Sequence, residues 1–584
     1  MASRQLRKLR KQQELLNLQN ESAREEEEES EDEAPIVAKP RGNPFAGFAA
    51  LADEGEDDDE GNKTDDDEEA EYKEQPSVEQ LDGTVTTSQS KKPKKKNKKK
   101  KKKGKAPVAA DADADGDTIS DLLNSRVEQL KLENPGDKVE YPAAKIADLL
   151  RINFQHLKAI NEMRRLFGKA MDVADADDHA QPRRMRNGHQ EVDLETYLSA
   201  PPEQPGRQNK LKGLFDTVLR TNPFIEGKKT WPRNSTHGLK MARVSMLSGE
   251  YTFVHDKTYE SLEATFFEMV QMHDPMQLVH FLRAYPYHVS TLIQVSKVAK
   301  QDQNAALAAD LIERALFAFG RASLSEFRKL LEQGRACLSF KRPENRQFFL
   351  AGWNLVKHLK AKGTFRTALE WSKLLLSLDF VDPYGIINWL HPLAIHAHEA
   401  QWFVDFCATK IFEEGTPFIQ TGAYIKQTLV LAHLQLKDTE AARAALLEGI
   451  HTVPWLYCSL FSALNLDAPR CVWGVKPRDE NEDLYTELYI HVTKDLWQAD
   501  AATQLLVSTA ASAPRNEDIK SLPKSCPAVT LADARFVYLD DTPALMAHVP
   551  RHLIHDREPN FDFDPLPPAR EDNTFSSYVQ EMPW

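Results

Sequence analysis

At 584 residues the chain exceeds the size at which one hydrophobic core stops growing, so it is expected to divide into regions. Its formal charge of −14 averages over segregated blocks of opposite sign and selects no partner by itself. The five cysteines are scattered, odd in number and without C-x-x-C spacing, which argues against a disulfide framework and points to a reducing compartment, and no run of 18 or more apolar residues occurs, so no membrane-spanning helix is expected.

Of the 9 Trp, 14 Tyr and 27 Phe, only Phe45, Phe48 and Tyr72 precede residue 106. A segment so poor in large apolar groups cannot bury enough surface to offset chain entropy, so residues 1–115 are expected to be disordered. Within residues 1–105, 22 Lys and Arg stand against 26 Asp and Glu in separate blocks. Residues 1–19 read as a short basic helix, with Arg4, Arg7, Lys8, Arg10 and Lys11 among Leu6, Leu9 and Leu16. Alone it is too short to hold in water, so it is expected to order on a partner. Its broken leucines and the acidic run at 21–33 match neither a secretory nor a transit peptide. Asn43, Phe45, Phe48 and Leu51 form an apolar island before a second acidic block, the pattern of a linear motif that docks in a groove. Residues 91–105 hold twelve lysines, among them Lys94, Lys95, Lys96, Lys98, Lys99 and Lys100. Contact with RNA phosphates on a ribosome surface, nuclear import and a merely solvated tail all fit such a run; any RNA contact would be sequence-independent and salt-dependent.

Residues 116–170 are expected to hold short helices: one amphipathic through Ile119, Leu122, Leu123, Val127 and Leu130, and one over 141–170. A basic helix-loop-helix is disfavoured because Pro93, Gly104 and Pro107 interrupt the basic stretch. Residues 171–229 are polar and Pro-rich, a linker. Residues 230–510 carry long helical segments with few strand signals. Ala442, Leu446, Gly449 and Pro454 have the small–large–small–Pro steps of the second helix of a tetratricopeptide unit. Ala368, Ser372 and Leu375 form a weaker copy, as do Ala308, Ile312 and Ala315. The fold class expected is therefore mostly α: a degenerate tetratricopeptide-like α-solenoid behind a long charge-block disordered region. Residues 511–584 are expected to pack on the solenoid as a partly irregular extension.

No phosphate loop, nucleophile elbow or H-E-x-x-H motif occurs, so no enzyme is supported and no catalytic residue, cofactor or metal is assigned. His391, His396 and His398 do not share a helical face, and Pro550 lies inside the spacing of His548, His552 and His555; core or interface roles suit them better than metal binding. Two polar clusters stand out. Arg342, Pro343, Glu344, Asn345 and Arg346 concentrate charge at a helix start, as a cap or as an interface. Tyr285-Pro-Tyr287-His288-Val289 suits packing at an inter-helix turn.

These strings, with Trp231-Pro232-Arg233, Leu311–Leu316, Arg366–Glu370, Pro550–Leu553, Phe563–Pro568 and Ser577-Tyr578, resemble the transcription factor 25/ribosome quality control complex subunit 1 family. Arg164, Arg165, Phe167 and the Asn43–Leu51 island match its N-terminal half. The resemblance implies a non-catalytic adaptor acting on nascent chains stalled in the large ribosomal subunit, beside the listerin ubiquitin ligase. It further implies favouring the ubiquitin linkage read by the proteasome, and recruitment of the valosin-containing-protein segregase ATPase. A cytoplasmic, ribosome-associated protein is expected, with nuclear residence as well; no membrane or small-molecule ligand is implied. A nuclear transcriptional regulator is the alternative. The chain stops at Trp584 without the acidic tail of some animal members, so functions of such a tail are not carried over.

Overall fold

The computed structural model describes residues 144–168, 194–198, 222–228, 230–232, 235–244, 249–413, 416–515, 522, 528–554 and 561–574. The basic arm, the apolar island, the lysine block and the amphipathic stretch near residue 122 lie outside them.

Helices α1 (Ala144–Leu149) and α2 (Ala159–Phe167) open the described chain, where the sequence predicts one helix over 141–170. Side chains of the main body enforce the break. The indole N–H of Trp402 donates to Leu149 O (2.9 Å), that of Trp371 donates to Leu157 O (3.0 Å), and Glu370 accepts from Asn153 N. Backbone groups that would bond within a continuous helix find these external partners instead. After α3 (Leu194–Leu198), residues 222–228 are tied to the body. Asn222 Nδ2 donates to Phe317 O (2.9 Å), while its Oδ1 accepts from Phe224 N and Ile225 N.

A small sheet follows, unforeseen from the helical periodicity because its strands are short. Strand β1 (Leu239–Arg243) pairs antiparallel with β2 (Glu250–His255), from Leu239 opposite His255 to Arg243 opposite Tyr251. Helices α4 (Lys257–Gln271), α5 (Pro275–Ala284), α6 (Val289–Gln301), α7 (Ala305–Ala322) and α8 (Ser325–Glu332) come next. Strand β3 (Cys337–Leu338) then joins β2 in parallel. The helical run continues with α9 (Pro343–Ala361), α10 (Phe365–Leu378), α11 (Ile387–His396), α12 (Ala400–Cys407), α13 (Ile419–Ile425), α14 (Leu429–Gln435), α15 (Thr439–Thr452), α16 (Pro454–Ala463), α17 (Glu480–Trp497) and α18 (Asp500–Ser512). Helices dominate the described residues, and from α4 to α18 they pack chiefly on their neighbours in sequence, the arrangement of a solenoid.

Four hairpins share one turn design. Gln303 joins α6 to α7, Gly363 joins α9 to α10, His398 joins α11 to α12 and Lys437 joins α14 to α15, each with positive φ (61°, 74°, 58° and 64°). The next residue returns its N–H to the carbonyl five positions earlier, as Asn304 does to Ala299 and Asp438 to His433. This satisfies the last carbonyls of the first helix. Asn304 and Asp438 then cap the second helix by accepting from Leu307 N and Ala441 N. The small–large–small steps of the sequence fall on the buried faces of α7, α10 and α15, the second helices of three of these hairpins. Pro454 occupies the first turn of α16, where its missing N–H costs nothing.

The C-terminal helices α19 (Leu531–Asp540), α20 (Pro543–Met546) and α21 (Arg551–Ile554), with residues 561–574, turn back onto the stack. Arg535 of α19 donates to Leu566 O (2.8 Å) and Pro383 O (3.1 Å). Among the described residues no helix is long and apolar enough to cross a membrane.

Candidate functional site

Pro343 opens α9 with its φ already suited to a helix, so the side chains that follow leave the first turn in fixed directions. Asn345 reaches the sheet: its Oδ1 accepts from Phe253 N (2.9 Å) and Thr252 Oγ1 (3.2 Å), and its Nδ2 donates to Ser339 O (2.8 Å). Arg346, next in sequence, is only 1% exposed. Its guanidinium donates to Asp564 Oδ2 (2.7 Å), Phe340 O (3.3 Å) and Asn573 Oδ1. It lies 5.4 Å from the Phe340 ring centre, while Arg535 lies 5.0 Å from the same centre. Gln347 Nε2 donates to Phe563 O (3.2 Å), and Thr574 N donates to Lys341 O (2.8 Å). Burial pushes the Asp564 carboxyl up from its ordinary range, and Arg346 opposes that push.

These contacts form a clasp on residues 561–574. Pro343, Glu344, Asn345 and Arg346 are buried; Arg342 is half-buried and pairs with Glu250 (3.5 Å). A sequence view isolates Arg342–Arg346 and Phe563–Pro568 as separate strings. It gives no sign that they touch, because the partners are 218 positions apart.

A second constellation gathers Trp231, Pro232 and Tyr287. Tyr287 OH donates to Pro232 O (2.7 Å), and the Trp231 indole N–H donates to Asp310 Oδ1 (2.9 Å). The Phe317 ring stands 5.3 Å from Trp231 and 6.0 Å from Tyr287. Lys228 bridges Asp310 (2.8 Å) and Glu313 (2.7 Å) beside them. His288, next in sequence, is fully buried among Tyr259, Phe266 and Phe281. Its Nδ1 lies 2.8 Å from Thr291 Oγ1, and its Nε2 lies 3.6 Å from Glu263 Oε1, which accepts from Ser290 Oγ. Burial raises the Glu263 carboxyl to about 7 and lowers the His288 imidazole to about 3. An acid and a base set apart in this way suit proton transfer, and both are buried, Glu263 2% and His288 0% exposed.

Arg164, Arg165 and Phe167 lie together at the exposed end of α2, with Phe167 62% exposed. One turn earlier, Glu162 accepts from Arg366 N (2.9 Å) and Thr367 N (2.7 Å), fixing α2 over the start of α10. The histidines disperse. His391 is buried with Nδ1 2.9 Å from Thr428 Oγ1, His396 stacks on Phe365 at 4.4 Å, and His548 lies 3.0 Å from Asp483. Among the described residues no group of three or more His, Cys, Asp or Glu is placed to hold a metal ion.

One comparison with known proteins falls on this body by residue number. The family model described as transcriptional repressor TCF25 matches residues 251–568, from β2 to the clasped Phe563–Pro568 string. The chain is similar to the ribosome quality control complex subunit 1 of Schizosaccharomyces pombe, 27% identical over 348 residues, covering 59% of this chain and 52% of that protein. It is similar to the probable transcription factor claV of Ampulloclitocybe clavipes, 27% identical over 462 residues, covering 72% of this chain and 56% of that protein. It is also similar to the ribosome quality control complex subunit TCF25 of Homo sapiens, 34% identical over 190 residues, covering 32% of this chain and 27% of that protein. The chain thus spans about half the length of the first two relatives and about a quarter of the human one. No solved structure matches.

Proposed function

The chain belongs to the transcriptional repressor TCF25 family, and we propose that it serves as a non-catalytic adaptor subunit of a ribosome quality control complex. The observation that carries this reading is that similar proteins from fission yeast and human bear the name of subunits of that complex. Two physical features support the adaptor role. A stack of helices packed neighbour on neighbour offers an extended surface for a partner. The polar family positions Glu344, Asn345, Arg346 and His288 are buried, Asn345 and Arg346 in bonds to the sheet and to the clasped segment.

In this reading the adaptor works beside a listerin-type ubiquitin ligase on nascent chains stalled in large ribosomal subunits. The basic arm (Arg4, Arg7, Lys8, Arg10, Lys11) and the lysine block (Lys94–Lys96, Lys98–Lys100) tether it to ribosomal RNA phosphates. The Asn43, Phe45, Phe48, Leu51 island and the exposed Arg164, Arg165, Phe167 end of α2 dock partners. The solenoid orients a ubiquitin so that one of its lysines meets the thioester-bound donor. Such catalysis by positioning shifts linkage choice tenfold for about every 1.4 kcal/mol. The valosin-containing-protein segregase ATPase is then recruited to extract the tagged chain. No cofactor, small-molecule ligand or membrane takes part, and the work is cytoplasmic, on ribosomes.

The test is linkage analysis of ubiquitin chains built on a stalled nascent chain in extract, with and without the full protein. Loss of the proteasome-directed linkage on its removal is expected. An unchanged mixture contradicts orientation, and failure to co-purify with either ligase or ATPase contradicts the adaptor role. The family description and the claV relative favour a second reading, a nuclear transcriptional regulator. It requires sequence-selective DNA binding, for which a lysine run lacks base-reading groups.

A further inference from the structure

Between α16 and α17 the chain crosses residues 464–479 without regular structure, yet it is firmly held. Cys471, Val472 and Val475 are buried, and Cys471 Sγ donates to Ala510 O of α18 (3.2 Å). Val472 N and Trp473 N both bond to Pro469 O (3.1 and 2.9 Å), and Val475 N bonds to Val472 O (3.1 Å). At the base, Arg478 pairs with Glu482, covers the Trp455 ring at 4.6 Å and donates to Leu522 O (2.6 Å).

From this rigid scaffold Trp473 projects with 66% of its surface exposed, more than any other exposed large hydrophobic side chain among the described residues. A tryptophan has more to gain from burial than any other side chain, so a loop that fixes its backbone while holding the ring in water is arranged to present it. Gly474 follows at φ 72°, and a Cβ there would meet nothing within 4 Å. Arg470 and Lys476, three residues to either side, are exposed and make no ion pair with a described residue.

We propose that this loop is a stacking platform for an unpaired base of single-stranded RNA, with Arg470 and Lys476 set to neutralise the flanking phosphates. Its apolar neighbours in sequence, Val472 and Val475, are buried, while the exposed Arg470 and Lys476 flank the ring with positive charge that complements phosphate. A base needs only a free aromatic face and a cation near its phosphate, and both are present. The rigid backbone keeps the ordering cost of binding low. The inference rests on the ribosome-directed reading for the setting in which unpaired RNA is met, and on the loop alone for the chemistry.

The probe is a short single-stranded oligoadenylate, titrated into the full chain and photo-crosslinked to it. Trp473→Ala is expected to weaken binding roughly 5- to 100-fold with the salt dependence unchanged, and Trp473→Phe to recover most of the loss. The double variant Arg470→Gln, Lys476→Gln is expected to flatten the salt slope by about 1. Crosslinks should map to residues 470–476. Equal binding by Trp473→Ala and the unaltered chain, with crosslinks confined to the lysine block, overturns the proposal. So does loss of a co-purifying protein from Trp473→Ala while oligoadenylate binding stays intact, which would make the loop a protein-docking site. If the chain fails to associate with ribosomal subunits but still binds oligoadenylate through Trp473, the functional reading falls and this one stands.

Discussion

Arg346 carries a charge almost out of reach of water, and Asp564 and Asn573 hold it from the far end of the chain. Removing one partner of a buried pair leaves the other charge uncompensated, so Arg346→Ala is expected to cost about 3–5 kcal/mol and to release residues 561–574. Hydrogen exchange over Phe563–Leu566 reads this directly, and unchanged protection there would mean that the clasp does not hold the segment. Glu263 and His288 make opposite demands on pH. The folded state binds a proton at Glu263 up to about 7, against an ordinary 4.5, so its contribution to stability is lost as pH rises between those values. His288 stays neutral down to about 3, against an ordinary 6.5, so stability is also lost as pH falls below 6.5. Glu263→Gln keeps an acceptor for Ser290 and removes the charge. Above pH 7 it is expected to raise stability by roughly 2–4 kcal/mol, measured by denaturant unfolding across the pH range. No gain there would show that the buried carboxyl finds compensation in the fold.

At the scale of elements, the hairpins explain which parts of the architecture the sequence makes legible. Ala442, Leu446 and Gly449 are a local pattern with a local consequence, since small residues let the two helices of a pair approach. A Cβ at Gly449 would stand 2.0 Å from Gln427 Oε1 and 2.5 Å from Tyr457 OH, two buried groups bonded to each other at 2.8 Å. Gly449→Ala is therefore expected to destabilise by about 1–3 kcal/mol despite the better helix propensity of alanine, a loss that thermal unfolding would register. The break between α1 and α2 was not legible, because its causes, Trp371, Trp402 and Glu370, lie on helices more than two hundred positions away. The three-stranded sheet escaped for a related reason: β3 is two residues long and exists only where β2 meets it. Glu162, which no local pattern in the sequence singles out, caps α10 from outside. Glu162→Ala is expected to cost about 1 kcal/mol and to loosen α2, seen as faster amide exchange over Ala159–Phe167.

At the scale of the whole molecule, the division of labour follows from composition. All but three of the aromatic residues, the clasp and the family match lie after residue 105, while most of the cations proposed to grip RNA phosphates lie before residue 106. Arg342–Arg346 was legible as a distinctive string, but whether it faced a partner or the core depended on Asp564 and Asn573, which no local pattern connects to it. Trp473 had no signal at all, since only the fold shows that its ring is left in water. The adaptor account needs the body and the charged arms to act together on one particle. Sedimentation of the tagged full chain from cell extract on a sucrose gradient, with mass spectrometry of each fraction, tests that need most directly. The account predicts migration with free large ribosomal subunits together with the ubiquitin ligase and the segregase ATPase, abolished by moderate salt or by deletion of residues 1–105. A protein that stays in the light fractions without ribosomal partners, or concentrates on chromatin, would contradict it.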